Sequence, residues 1–206
     1  MAYLILVRHG QSEWNALGKW TGWQDVSLTD QGRAEAREAA KVLENIELHK
    51  GYHSKQTRTK QTLDEILGTL GKELETVEHE ALNERHYGDL TGLNKWEVKE
   101  RIGEEEFNSI RRSWNHPVPN GETLKNVHDR AVPYFEKHIL TDLKAGKNVI
   151  IASHGNTLRA LIKHLERIAD DDVHTLEIGT GEVHMFTISE DGEVLGKEIL
   201  NSGGKA

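Results

Sequence analysis

Two short runs hold the residues best suited to chemistry. Arg8-His9-Gly10 follows the apolar run Tyr3 to Val7, and His154-Gly155-Asn156 follows a second run, Asn148 to Ser153. An imidazole nitrogen is a nucleophile only when neutral, and an ordinary pKa near 6.5 keeps much of it neutral around pH 7. A neighbouring arginine can hold a phosphoryl group by forked, charge-assisted hydrogen bonds. A glycine lets that group approach the backbone. A lone strand-end histidine is usually satisfied by a nearby carbonyl, but two His-Gly pairs, each ending an apolar run, are hard to explain by packing. Together they describe phosphoryl transfer through a phosphohistidine. His154 would serve as a second base or, protonated, as a clamp on the charge that spreads over the transferring oxygens.

The rival for two of twelve histidines is a metal ion. His9 and His154 lack the HxH or HExxH arrangement, and their neighbours are arginines, which repel a divalent ion, so no metal is expected. His49 and His53, at i,i+4 spacing, read as strand or loop residues.

The elements that must position these side chains follow from the apolar pattern. A continuous apolar run reads as a strand buried on both faces. Arg8 and His9 then fall at its C-terminal end, where open α/β sheets place ligand crevices. Gln11 to Gln24 reads as a loop crossing that end. Thr29 is an N-cap for a helix to about Glu44, and His49 to His53 starts a short strand ending near Ser54. Leu63, Ile66, Leu67 and Leu70 give a helix from about Arg58 to Leu70, and Thr76 to Glu80 is a short strand. Between Asn83 and Asn120, charge and tryptophan mark a lid with helical patches at Trp96 to Arg101 and Glu105 to Trp114. Gly121 to Leu143 is a long helix that Pro133 should kink. A helix at Thr157 to Glu166 precedes a β-hairpin, Val183 to Ser189 and Val194 to Leu200, around Glu190-Asp191-Gly192. The tail Ser202 to Ala206 reads as mobile. The expectation is a single 206-residue domain, residues 1–206, with a lid at roughly 83–120. Its fold class is a three-layer α/β/α sandwich with a mostly parallel central sheet.

A formal net charge of −8 argues against nucleic acid or an anionic membrane as the main partner. Against that background Arg8, Arg58, Arg85, Arg111, Arg112 and Arg159 suit a small polyanionic ligand. There is no cysteine, which removes thiolate and disulfide chemistry. With no 18-residue apolar run and no room for a signal peptide before the first strand, a cytoplasmic location is expected.

Longer motifs sharpen the reading. LVRHGQSEWN (Leu6 to Asn15), TGWQDVSLTDQG (Thr21 to Gly32), LNERHYGDLTGLNK (Leu82 to Lys95) and SHGNTLRAL (Ser153 to Leu161) resemble the cofactor-dependent phosphoglycerate mutases of the histidine phosphatase superfamily. RHG alone fits any branch of that superfamily, whereas the block around Glu84 is far more specific to the mutase branch. The resemblance runs from the first strand to the hairpin. It implies the histidine phosphatase-like fold, with His9 as the phosphorylated nucleophile and Glu84 as proton donor and acceptor. It also implies a phosphate pocket of Arg8, Arg58 and His154, with Asn15 nearby. Thr21, Gly22, Arg85, Tyr87, Lys95, Arg111, Arg112 and Asn156 fall on substrate-contacting positions, with Gly155 beside them. HSKQTRTKQT (His53 to Thr62) departs from the family's more usual S-x-L-x-R-A-x-x-T. Ser54, Arg58 and Thr62 keep the spacing, while Gln56 and Thr59 replace the usual Leu and Ala.

By resemblance the activity is interconversion of 3-phosphoglycerate and 2-phosphoglycerate in glycolysis and gluconeogenesis, primed by 2,3-bisphosphoglycerate and without a metal. The short interval between Arg112 and His154 leaves a monomer or a small homo-oligomer. A broad phosphomonoesterase of the same superfamily would need a more open mouth, so Tyr87, Lys95 and Arg111-Arg112 count against it. A non-catalytic binder of phosphorylated ligands should lack one of His9, Arg58, Glu84 or His154, and all four are present.

Overall fold

Leu4 to Val7 are fully buried, as a strand covered on both faces requires. They form the centre of strand β1 (Ala2–Arg8) in the computed structural model, which describes residues 1–201. A one-turn helix α1 (Glu13–Ala16) follows, then α2 (Asp30–Lys41), β2 (Lys50–His53), α3 (Thr57–Leu70) and β3 (Glu75–Glu78). Helices α4 (Lys95–Ile102) and α5 (Glu104–Arg112) fall in the segment expected to form a lid, hereafter the lid. The chain returns through α6 (Leu124–Tyr134), a π-helical turn (Phe135–Ile139) and α7 (Leu140–Lys144). It then forms β4 (Val149–Ser153), α8 (Gly155–Glu166) and the hairpin β5 (Val183–Ile188) and β6 (Val194–Asn201).

The sheet order is β3-β2-β4-β1-β5-β6. Pairing is parallel from β3 through β1, and β5 runs against both of its neighbours. Alternation along each strand divides the core into two layers. Leu4, Leu6 and Ile151 pack with Phe135, Ile139, Leu158 and Leu161 from the α6, α7 and α8 side. Ile5, Val7 and Ile150 pack with Ala36, Ala39, Leu63 and Ile66 of α2 and α3. The result is a three-layer α/β/α arrangement with a mostly parallel sheet.

Register decides where the chemistry sits. Arg8 lies opposite Ser153, and His53 lies opposite Ala152. The C-terminal ends of β1, β2 and β4 are therefore level, and His9, Ser54 and His154 emerge at one edge. The lid above them has an apolar cluster of its own, made by Trp20, Leu90, Val98, Phe107, Ile110 and Val118.

Local details differ from the sequence expectations. Within Gln11 to Gln24, expected to be loop, residues 13–16 form α1. Ser12 and Asn15 there make a reciprocal capping box, Asn15 N donating to Ser12 Oγ at 3.3 Å and Ser12 N to Asn15 Oδ1 at 3.0 Å. The helix expected from Gly121 starts at Leu124, capped by Thr123 and Asn126. Pro133 does not break it. The missing N–H removes one helical bond, and the chain widens into the π turn immediately afterwards. Gly10 also has a packing reason. A Cβ there would lie 2.1 Å from the carbonyl oxygen of Gly32, so the first strand's exit and the start of α2 meet backbone to backbone. The expectation for Ser202 to Ala206 lies outside the described residues.

Candidate active site

A cavity of about 570 Å³ opens at the level strand ends. Each candidate residue read from the sequence lines it except Arg85 and His154.

His9 is buried at its floor. Its Nδ1 is 2.7 Å from the Gly10 carbonyl oxygen. A carbonyl can only accept, so Nδ1 carries the proton and Nε2 presents a free lone pair. Burial, then Arg58 and Arg8, hold the imidazolium pKa well below 6.5, which keeps the ring neutral. Arg58 comes from the first turn of α3. Its Nε donates toward His9 Nε2 at 3.4 Å, while its terminal nitrogens donate to the Gly22 and Gln24 carbonyls at 3.0 and 3.1 Å. Arg8 reaches across the end of β1 to the Ile178 carbonyl, and its Nε is buried without a partner among the described residues.

His154 caps the N-terminus of α8, and its ring lies 5.0 Å from that of His9 at 66°. It is fully buried behind the cavity wall, with Nε2 2.8 Å from Ser54 Oγ. Burial first, then Arg58, keep its imidazolium pKa well below 6.5 as well.

Glu84 is held from several directions. Its amide donates to Gln56 Oε1 at 2.8 Å, and its carbonyl accepts from Trp23 Nε1 at 2.6 Å and from Arg130 at 2.9 Å. Its carboxylate accepts from the Arg85 amide at 2.8 Å and from the backbone and side-chain nitrogens of Asn156 at 3.3 Å. Asn156 Nδ2 also donates to the Tyr87 hydroxyl at 2.8 Å. Glu84, Asn156 and Tyr87 thus form one linked set on the wall. Thr21 offers a buried hydroxyl without a partner among the described residues.

The lid contributes cations. Lys95, near the Trp20 ring, has its pKa pushed down to about 8 by burial and then by Arg111 and Arg8. Arg111 lies over the Phe107 ring at 5.3 Å. Arg112 bonds to the Glu177 carboxylate. Asn15 lies in α1, Gly22 accepts from Gln56 and Arg58 through its carbonyl, and Gly155 lies in the first turn of α8.

Arg85, expected at the substrate, does not reach the cavity. Its guanidinium is turned into the lid, donating to the carbonyls of Glu122, Ile110 and His116 at 2.5, 2.7 and 3.4 Å. Arg159, read from the sequence among the arginines suited to a polyanion, lines the cavity and donates to the carbonyls of Arg111, Arg112 and Val173, tying the end of α5 to α8. Gln56, Trp23 and Glu182 were missed, and the sequence carried no signal for them. Gln56 links Glu84 to Gly22 (2.8 Å to the Gly22 carbonyl), and Glu182, bonded to His184, places a carboxylate on the cavity wall.

The sequence matches the histidine phosphatase superfamily (branch 1) over residues 4–198. A 2,3-bisphosphoglycerate-dependent phosphoglycerate mutase from Parvibaculum lavamentivorans is 44% identical, with 96% of this chain and 95% of that protein aligned. A protein of the same name from Bradyrhizobium diazoefficiens is 46% identical over 94% of this chain and 95% of its own. Among solved structures, Bacillus stearothermophilus YhfR has a TM-score of 0.83 at 26% identity, covering 100% of this chain and 98% of its own. A mycobacterial glucosyl-3-phosphoglycerate phosphatase complexed with VO3 shares the fold at a TM-score of 0.83 and 20% identity, with both chains fully covered.

Proposed function

The chain belongs to the histidine phosphatase superfamily and, within it, to the 2,3-bisphosphoglycerate-dependent phosphoglycerate mutases, and from that premise we propose that the cavity interconverts 3-phosphoglycerate and 2-phosphoglycerate through phospho-His9. One observation supports this most. His9 presents an unprotonated Nε2 at the floor of an arginine-lined pocket, with Arg58 Nε beside it.

In the forward step the N–P bond of phospho-His9 breaks as a new O–P bond forms to the free hydroxyl of the substrate, and Glu84 takes the hydroxyl proton. In the second step His9 Nε2 takes the phosphoryl group from the neighbouring carbon's oxygen, and Glu84 returns the proton to that oxygen. Arg8 and Arg58 neutralise the phosphoryl oxygens throughout. Lys95, Arg111 and Arg112 suit the substrate's other anionic groups.

The primer 2,3-bisphosphoglycerate supplies the phosphoryl group that charges His9. The site suits such a polyanion, with cations on floor and lid and two buried donors, Arg8 Nε and Thr21 Oγ1, lacking partners among the described residues. The lid excludes water, which would otherwise divert phospho-His9 to hydrolysis. A phosphomonoesterase reading fits less well with Tyr87, Lys95 and the two arginines crowding that lid.

The test supplies 3-phosphoglycerate in EDTA, with and without catalytic 2,3-bisphosphoglycerate, and follows isomerisation and phosphate release together. Isomerisation that depends on the bisphosphate and ignores EDTA is expected. Phosphate release without isomerisation, or loss of activity in EDTA, overturns the reading.

A further inference from the structure

Behind His154 lies a chain of short polar contacts that the mechanism above does not use. His154 Nε2 is 2.8 Å from Ser54 Oγ, Ser54 Oγ is 2.8 Å from Thr59 Oγ1, and Thr59 Oγ1 is 2.8 Å from the Gln56 carbonyl oxygen. Ser54, Thr59 and His154 are fully buried. Two electronegative atoms at that distance need a proton between them, and a bare pair would repel.

The far end of the chain fixes its direction. A carbonyl only accepts, so the Thr59 hydroxyl must donate to Gln56. The Ser54 hydroxyl must then give its single proton to Thr59. The third contact can take a proton only from His154 Nε2. Ser54 Oγ also accepts the Gln56 amide at 3.1 Å, so its acceptor capacity is filled. The alternative, with Ser54 donating to His154, leaves a contact with no proton in it. It would also put a proton on His154 Nδ1, a buried atom without a partner among the described residues.

We infer that Thr59 is a positioning residue which, acting through Ser54, holds His154 as the Nε2–H tautomer and confines its proton exchange to Nδ1. The neutral ring keeps a lone pair at Nδ1, and the imidazolium gains its second proton there while Nε2 stays bonded to Ser54. His9 is set the opposite way, with Nδ1 protonated and Nε2 bare. The two rings, 5.0 Å apart, therefore carry opposite tautomers set by two separate anchors. The lowered imidazolium pKa of His154 agrees with a neutral ring in the free protein. Any catalytic consequence rests on the mutase reading, whereas the tautomer does not.

The test is long-range 1H–15N NMR of the full-length protein labelled at histidine nitrogens, with the His154 signals assigned by their loss in His154→Gln. The expected pattern is a protonated Nε2 and an unprotonated Nδ1 at His154. Thr59→Val keeps the shape and removes the hydroxyl, freeing the Ser54 proton, so the Nδ1–H form should appear and turnover should fall on the order of tenfold. Thr59→Ser should restore both. An Nδ1–H tautomer in the parent protein, or an unchanged pattern in Thr59→Val, overturns the inference whatever the activity. A switched tautomer with unchanged turnover overturns the positioning role.

Discussion

Arg58 Nε lies 3.4 Å from His9 Nε2, an N–H directed at the ring nitrogen that the Gly10 carbonyl leaves unprotonated. On the proposed mechanism the guanidinium would sit beside the group that bonds to that nitrogen. His9→Ala should abolish isomerisation and also the histidine-linked 31P signal after treatment with 2,3-bisphosphoglycerate. Arg58→Lys keeps a charge but loses the fork, and kcat should drop on the order of 10²-fold. Most activity surviving in a folded His9→Ala protein would sink the assignment.

Glu84 is fixed through its backbone by Gln56, Trp23 and Arg130, so a change confined to its carboxylate should leave the loop in place. Glu84→Gln should lower kcat by about 10²- to 10⁴-fold, with a small effect on KM, because it removes proton transfer alone. A KM effect larger than the kcat effect would instead make Glu84 a binding residue.

Both buried imidazoles have pKa values well below 6.5, mainly through burial. Below about pH 6.5 the unfolded chain takes up protons that the folded protein refuses, so stability is present above that pH and is lost as pH falls. Urea midpoints should decline between about pH 7 and pH 5. His154→Asn should show a shallower decline. An identical slope in the variant would remove His154 from the account.

Lys95 has its pKa pushed down to about 8, burial being the main cause. In the free protein its charge fades above that pH, whereas a bound carboxylate or phosphate favours the charged form. KM for phosphoglycerate should therefore rise above about pH 8, and binding there should take up a proton, measurable by calorimetry in buffers of different ionisation enthalpy. Lys95→Met should remove that pH-linked rise.

Arg85 holds the lid from within through three carbonyls. Arg85→Ala takes this donor from the buried Ile110 carbonyl and from two part-buried ones, costing about 3 kcal/mol, concentrated in the lid. The ratio of phosphate release to isomerisation should rise as water gains access. An unchanged ratio together with a raised KM would restore Arg85 to the substrate-binding set.

The sequence determined by itself what depends on neighbours along the chain. Tyr3 to Val7 and Asn148 to Ser153 declared buried strands through continuous apolar content, and the His-Gly pairs that follow had to fall at strand ends. The alternation of strands and helices gave the mostly parallel sheet, and the resemblance of the longer motifs to a known family implied Arg58, Glu84 and Asn156 beside His9. Tertiary structure alone decided what depends on partners far apart in the chain. Arg85 and Arg111 are the same residue type on one lid, yet one is spent on backbone carbonyls and the other faces the cavity. Nor does local pattern distinguish Thr59 as a filler from Thr59 as the terminus of a hydrogen-bond chain to His154, 95 positions away. A side chain's role is fixed by which partners reach it in three dimensions: for Arg85 they are lid carbonyls far along the chain, and for His154 the pairing of β2 with β4 brings Ser54 alongside.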